Sequence, residues 1–126
     1  MLKKRAEGDD ANAVYTLAYY YRDGEKGLRQ NHKKAMKLLL RAGELGDAIA
    51  YGNIAHIYIK GEGVEKDTKK AKYYWELAAM GGAVKSRHNL GSVEAREGNM
   101  NRAVKHWMIS AGAGLDESLK EIQQGY

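Results

Sequence analysis

Apolar residues recur along the chain at helical spacing. Ala50, Ile54, Ile57 and Tyr58 step by four, three and one, and Ala71, Tyr74, Trp75 and Ala78 by three, one and three. Stripes of this kind predict amphipathic helices rather than the strict alternation of a strand. Punctuation falls between them. Gly24 and Gly61 follow the stripes that end at Tyr21 and Tyr58, where a glycine tolerates the left-handed backbone that closes a helix. Asn31, Asp67 and Asn99 precede the next stripes, where a side-chain oxygen accepts a free N–H of the first turn.

The pattern is itself repeated. Asn12–Gly24 lies over Ile49–Gly61, with Ala13 on Ala50, Leu17 on Ile54, Ala18 on Ala55 and Tyr21 on Tyr58. Lys34-Ala35 then falls on Lys70-Ala71, Ala42 on Ala78 and Gly46 on Gly82. A third copy places Ser86, Leu90 and Gly91 on Ala50, Ile54 and Ala55, and Trp107 on Trp75. The period is about 36 residues, in the range of helical solenoids. The expected architecture is all-α: one domain over residues 1–126, with helix-pair repeats at about 11–47, 48–82 and 83–115. A partial helix is expected over 2–8. A capping helix is expected over 116–125, with Asp116 as its N-cap and Leu119 and Ile122 as its apolar edge. Three repeats with partial caps is near the minimum for an independent stack, so the chain also reads as an excerpt of a longer array. Trp75 and Trp107 are expected in the core, beside the small residues that let paired helices approach.

Composition narrows the class. No apolar run approaches the roughly 18 residues of a membrane span. The start, "MLKKRAEGDD", lacks the apolar stretch of a secretory signal. Cysteine is absent, which excludes disulfides and thiolate zinc sites and is compatible with a reducing compartment, so a cytoplasmic location is expected. Proline is absent as well, which permits an all-helical chain. The formal net charge of +5 disfavours a basic partner and favours an acidic one only weakly.

The stretch "KGEGVEKD" raises the question of a phosphate loop. A Walker loop requires a Gly-Lys-Ser/Thr ending, which is missing, and a dinucleotide fingerprint requires a preceding strand, where a helical stripe stands instead. Glu62 and Glu65 also repel an anion. The glycines are read as a corner between helices, and they recur in the first copy at Gly24 and Gly27. His32, His56, His88 and His106 show no ligand spacing for zinc, and the serines stand at no telling distance from a base. No metal, cofactor or catalytic constellation is expected, and the protein is read as a non-enzyme. Lys33, Lys34 and Lys37, with Lys69, Lys70 and Lys72, are read as a solvated face; no aromatic interleaving suggests nucleic acid.

The segment "AYGNIAHIYIKGEGVEKDTKKAKYYWELAAMGG" resembles the Sel-1-like repeat, a relative of the tetratricopeptide repeat. The middle copy follows the family pattern nearly throughout. The first has an insertion around Glu25-Lys26, and the third lacks the G-x-G-V turn and has Glu94 where Tyr is usual. The resemblance implies a right-handed α-solenoid that binds other proteins as an adaptor or scaffold, with the first helix of each pair lining a concave groove. On that footing the residues pointing away from Leu17, Ile54 and Leu90 are the candidate partner-binding surface. These are Asn12, Tyr15, Tyr19 and Arg22 in copy one, and Ile49, Gly52, His56 and Lys60 in copy two. In copy three they are Lys85, His88, Ser92 and Arg96. Basic and aromatic side chains with few acids besides Asp23 suit a protein or peptide segment carrying carboxylates. The alternative is a structural spacer or oligomerisation unit that pairs copies through its terminal repeat faces.

Overall fold

The computed structural model describes residues 10–123, and within them every regular element is a helix. The order is α1 (Ala11–Asp23), α2 (His32–Glu44), α3 (Ala48–Lys60), α4 (Thr68–Met80), α5 (Val84–Arg96), α6 (Met100–Gly112) and α7 (Asp116–Gln123). The expected helix over 2–8 and the last residues of the one over 116–125 lie outside the described residues. The most extensive contacts join α1 to α2, α3 to α4 and α5 to α6. The next join α2 to α3, α4 to α5 and α6 to α7. Each element therefore packs mainly on its sequence neighbours, as in a solenoid.

Local chemistry sets the boundaries. Asp10, Asn31, Asp47 and Asp67 each accept a first-turn backbone N–H through the side chain. Gly24 (φ 70°) and Gly61 (φ 74°) close α1 and α3 in the left-handed region. The backbone N–H groups of Gly61 and Glu62 both donate to the Ile57 carbonyl, at 2.8 and 3.1 Å. They are consumed in closing the helix, so this corner does not present them to an anion. Gly63 lies over the His32 ring, where a Cβ would come within 2.6 Å, so the corner also seats one repeat on the one before.

Two expected caps differ. Asn99 makes no side-chain cap to α6, and its side chain instead helps to hold the Glu94 carboxyl ionised. Asp116 is not the N-cap of α7 but lies in its first turn, where an acid complements the helix dipole. The N-cap position falls on Leu115, whose carbonyl accepts from the Leu119 N–H.

The core runs along the stack. Leu17, Leu39, Ile54 and Ile57 form one buried cluster with the facing alanines. Trp75, Leu90 and Val93 form another with Ala55 and Ala71. Trp75 and Trp107 are each 3% exposed. Between repeats two and three an ion pair joins the helices. Lys72 Nζ on α4 lies 2.7 Å from Glu94 and 2.8 Å from Glu97. The lysine face is therefore not wholly solvated as expected. Lys72 is drawn inward, and Lys34 and Lys70 lie over the rings of Tyr21 and Tyr58 at 4.8 and 5.3 Å. Glu94 holds the place of those tyrosines in the third repeat, and Arg102, in the place of the two lysines, sits 3.8 Å from it.

Candidate functional site

The first helices α1, α3 and α5 stand side by side, and each starts its turn in register with the next. Counting from the N-cap, Tyr15, Gly52 and His88 occupy one shared position. It points along the stack rather than only outward. Tyr15 reaches across to α3, where its hydroxyl accepts from the Asn53 amide at 2.7 Å. Burial and the neighbouring Tyr19 push the Tyr15 phenol up to about 12.

The same geometry corrects the sequence reading of His88 and Gly52. Spacing alone puts His88 on the open surface, but it is buried. Helix α7 lies over it, and His88 Nδ1 shares a 2.7 Å hydrogen bond with Ser118 Oγ. Ser118 also bonds Ser110, and Glu117 Oε2 lies 3.9 Å from His88 Nε2. The Ser–His–Glu grouping is a packing network and not a nucleophile site, because Ser118 is fully buried. Gly52 is likewise buried, 3.0 Å from Ser86 Oγ at the place of a would-be Cβ. Sequence spacing missed both because it describes a helix within its own repeat. The next first helix does the covering.

The other candidate residues divide. Asn12, His56, Lys60, Lys85 and Arg96 are exposed, while Tyr19, Arg22 and Ser92 are half-buried. Arg22 is not a free cation: it pairs with Asp23 at 3.3 Å and lies over the Tyr19 ring at 4.8 Å. The Ser92 hydroxyl donates back to the His88 carbonyl at 3.3 Å. Although His56 is exposed as a whole residue, its ring packs edge-on against Trp75, and this partial desolvation, then Lys60 and Lys85, holds the imidazole below its ordinary value; Glu62 opposes them. Lys60 stands four residues after His56 on α3, so on the same face of that helix, and Lys85 of α5 lines the same cavity as His56. Arg96 stands farther along α5, with its Nε 3.5 Å from the Ser92 carbonyl.

Between α3 and α5 the groove deepens into a slot of about 250 Å³ beside Ile49, Gly52, Asn53, His56, Lys85 and Asn89. Trp75 also lines it. Exposed Ile49 continues the apolar lining toward Val84. Among the described residues no cluster of His, Asp and Glu suits a metal ion. No described helix is long and apolar enough to cross a membrane.

Comparison with known proteins agrees with this architecture. The Sel1 repeat family model matches residues 11–47 and 48–82, more than half of the chain. Among solved structures, a Sel1 repeat protein from Oxalobacter formigenes superposes with a TM-score of 0.85 at 28% identity, over 95% of this chain and 50% of that one. The c5321 protective antigen of uropathogenic Escherichia coli strains, which displays an SLR fold, gives 0.82 at 32% identity, over 93% of this chain and 26% of that one. In Arabidopsis thaliana, the ERAD-associated E3 ubiquitin-protein ligase component HRD3B is 28% identical over 107 residues, which is 84% of this chain and 17% of the relative. HRD3A is 33% identical over 63 residues, 50% of this chain and 9% of the relative. The chain thus spans less than a fifth of these curated relatives. Helix pairs in register, a left-handed glycine closing the first helix of the first two, and the matched repeats together place the chain in the Sel1 repeat family.

Proposed function

We propose that this chain, a member of a repeat family whose proteins are generally protein–protein interaction modules, binds a partner segment bearing carboxylates in the groove along its first helices. The observation that carries the reading is exposed Lys85 on the cavity it shares with His56, with exposed Lys60 one helical turn after His56 on α3. Neither lysine has an ion-pair partner among the described residues. An exposed cation–carboxylate contact contributes only about 0.2–1 kcal/mol. Affinity therefore comes from several contacts together and falls with added salt, because exposed charges are screened. Lys60→Glu with Arg96→Glu is expected to weaken binding of the native partner at least tenfold, about 1.4 kcal/mol. Helicity by circular dichroism should be unchanged. Unchanged affinity and salt dependence in a folded double variant would refute the groove as the binding face.

His56 supplies an independent readout. Its pKa is depressed in the free protein by partial desolvation of the ring and by the two lysines. A bound carboxylate favours the imidazolium and raises that pKa. By linkage, binding tightens as pH falls through the interval between the bound value and the lower free value. NMR titration of the His56 ring with and without partner measures both values. A pKa that stays put or falls on binding would show that no carboxylate arrives beside it.

A second reading rests on the exposed apolar residues Met108, Ile109 and Leu119 of α6 and α7, which favour pairing of copies through the C-terminal face. Concentration-dependent sedimentation, abolished by Met108→Lys with Ile109→Glu, would support it; a monomer at all concentrations would remove it. The proposal includes a cytoplasmic location, on the absence of cysteine alone. The relatives HRD3B and HRD3A carry "ERAD-associated" in their names, so cell fractionation is the direct test.

A further inference from the structure

The slot between α3 and α5 exists because of one residue. At the shared position on the three first helices, Tyr15 crosses to Asn53 of the next helix and His88 crosses to Ser118 of the next. Gly52 has no side chain to send, and the space stays open. On the far wall stands Asn89, which occupies on α5 the position that Asn53 holds on α3. Asn53 donates to a phenol oxygen; Asn89 faces the slot where the corresponding phenol is missing.

A second observation comes from the tryptophans. Trp107 donates its indole N–H to the His88 carbonyl at 3.2 Å. It gets that close because Gly91 lies beneath it, where a Cβ would come within 2.6 Å of the ring. Under Trp75 the matching residue is Ala55, which shares its buried cluster and carries a methyl group where Gly91 has none. The Trp75 indole N–H is buried without a hydrogen-bond partner, and Trp75 lines the slot. A buried donor of this kind carries a free-energy cost until an acceptor reaches it.

We propose that the slot at Gly52 receives a tyrosyl side chain from an acidic segment of a partner protein. The ring takes the space that Tyr15 fills one repeat earlier, and its hydroxyl accepts from Asn89 as the Tyr15 hydroxyl accepts from Asn53. Lys85, on the rim, meets a neighbouring carboxylate of the same segment. The inference rests on the groove reading above and adds the residue that anchors the partner.

The test uses the full chain and three capped tripeptides: acetyl-Glu-Tyr-Glu-amide, and the same peptide with Phe or Ala at the centre. The readout is the pair of indole N–H signals in ¹⁵N NMR spectra. The tyrosine peptide is expected to shift the Trp75 signal and leave that of Trp107 in place. The phenylalanine peptide should bind about fivefold more weakly for want of the hydroxyl, and the alanine peptide more weakly still. Gly52→Tyr combined with Ser86→Ala rebuilds the first-repeat arrangement, in which Tyr15 faces a helix carrying Ala50. This variant should fold, melt no lower than the parent and lose the tyrosine peptide. Asn89→Ala should bring the tyrosine and phenylalanine peptides to equal affinity.

Equal binding of all three peptides, or unchanged binding to the filled variant, would overturn the slot. The Lys60→Glu, Lys85→Glu protein separates the two proposals, because it removes the cation on the rim of the slot. If it loses the peptide while the filled variant keeps it, the charged groove stands and the tyrosine anchor falls. If it keeps the peptide while the filled variant loses it, the anchor stands and the carboxylate reading falls.

Discussion

Replacing Trp75 by alanine is expected to lower the free energy of unfolding by about 3–5 kcal/mol, and Trp107→Ala by a similar amount. Both side chains are 3% exposed. Trp75 packs with Ala55 of its own repeat and with Leu90 and Val93 of the next, so its loss opens the seam between repeats two and three. Trp107 packs on Gly91 and donates to the His88 carbonyl, so its loss removes a hydrogen bond as well as a ring. Stability in such a stack is the sum of repeat terms and neighbour terms. The two variants therefore differ in where they yield. Trp107→Ala should release hydrogen-exchange protection first in α5, α6 and α7. Trp75→Ala should release the whole stack together, because it breaks a central seam. Urea unfolding measures the magnitudes. A change under about 1 kcal/mol in either variant, the level of an ordinary substitution, would mean that its indole is not a core element.

The helices were legible because each carries its own signals. Asn31 and Asp67 cap α2 and α4, Gly24 and Gly61 close α1 and α3, and the apolar stripe of each helix faces its paired neighbour. All of that is local, within a repeat. The contacts that escaped the sequence run between repeats. His88 reads as an outward residue on its own helix, yet α7 covers it. Lys72 reads as one more exposed lysine, yet it meets Glu94 across 22 positions of chain. A signal for both was present. Glu94 breaks a column otherwise occupied by Tyr21 and Tyr58, and an acid in an apolar column implies a cation on the facing helix. Ser118 stands in the column of Ala13, Ala50 and Ser86, which marks α7 as the counterpart of a first helix and predicts the cover over His88. The slot at Gly52 is legible only when the column Tyr15, Gly52, His88 is read together with its neighbour in the next repeat.

The Glu94 column also yields a prediction with a built-in rescue. Lys72→Met should cost about 1–3 kcal/mol, less than the loss of a partner from a fully buried ion pair, because Lys72 is itself half-buried and Arg102 stays near Glu94. Glu94 is 4% exposed, and without Lys72 its remaining cation is Arg102 at 3.8 Å. Adding Glu94→Tyr should recover most of the loss. The double variant recreates the seam between repeats one and two, where Met36 and Tyr58 pack against the same core and stand at the matching positions. Arg102 then lies where Lys70 lies over Tyr58. The pH dependence distinguishes the two arrangements. The hydrogen bond from Lys72 leads in holding the Glu94 carboxyl below its ordinary value, with burial opposing it. Its stabilisation is present above the unfolded carboxylate pKa and is lost as pH falls through the folded one. Hydrogen bonds to Glu94 and Glu97 raise the Lys72 pKa, so the lysine's share is present below its unfolded value and is lost as pH rises through the folded one. The parent should thus lose stability at both extremes. The Lys72→Met, Glu94→Tyr protein should lose these two contributions and show a flatter profile over the same range. Thermal melts of the parent, the single and the double variants across that range make the comparison. A double variant no more stable than Lys72→Met alone would show that the ion pair does more than replace the tyrosine of the other repeats.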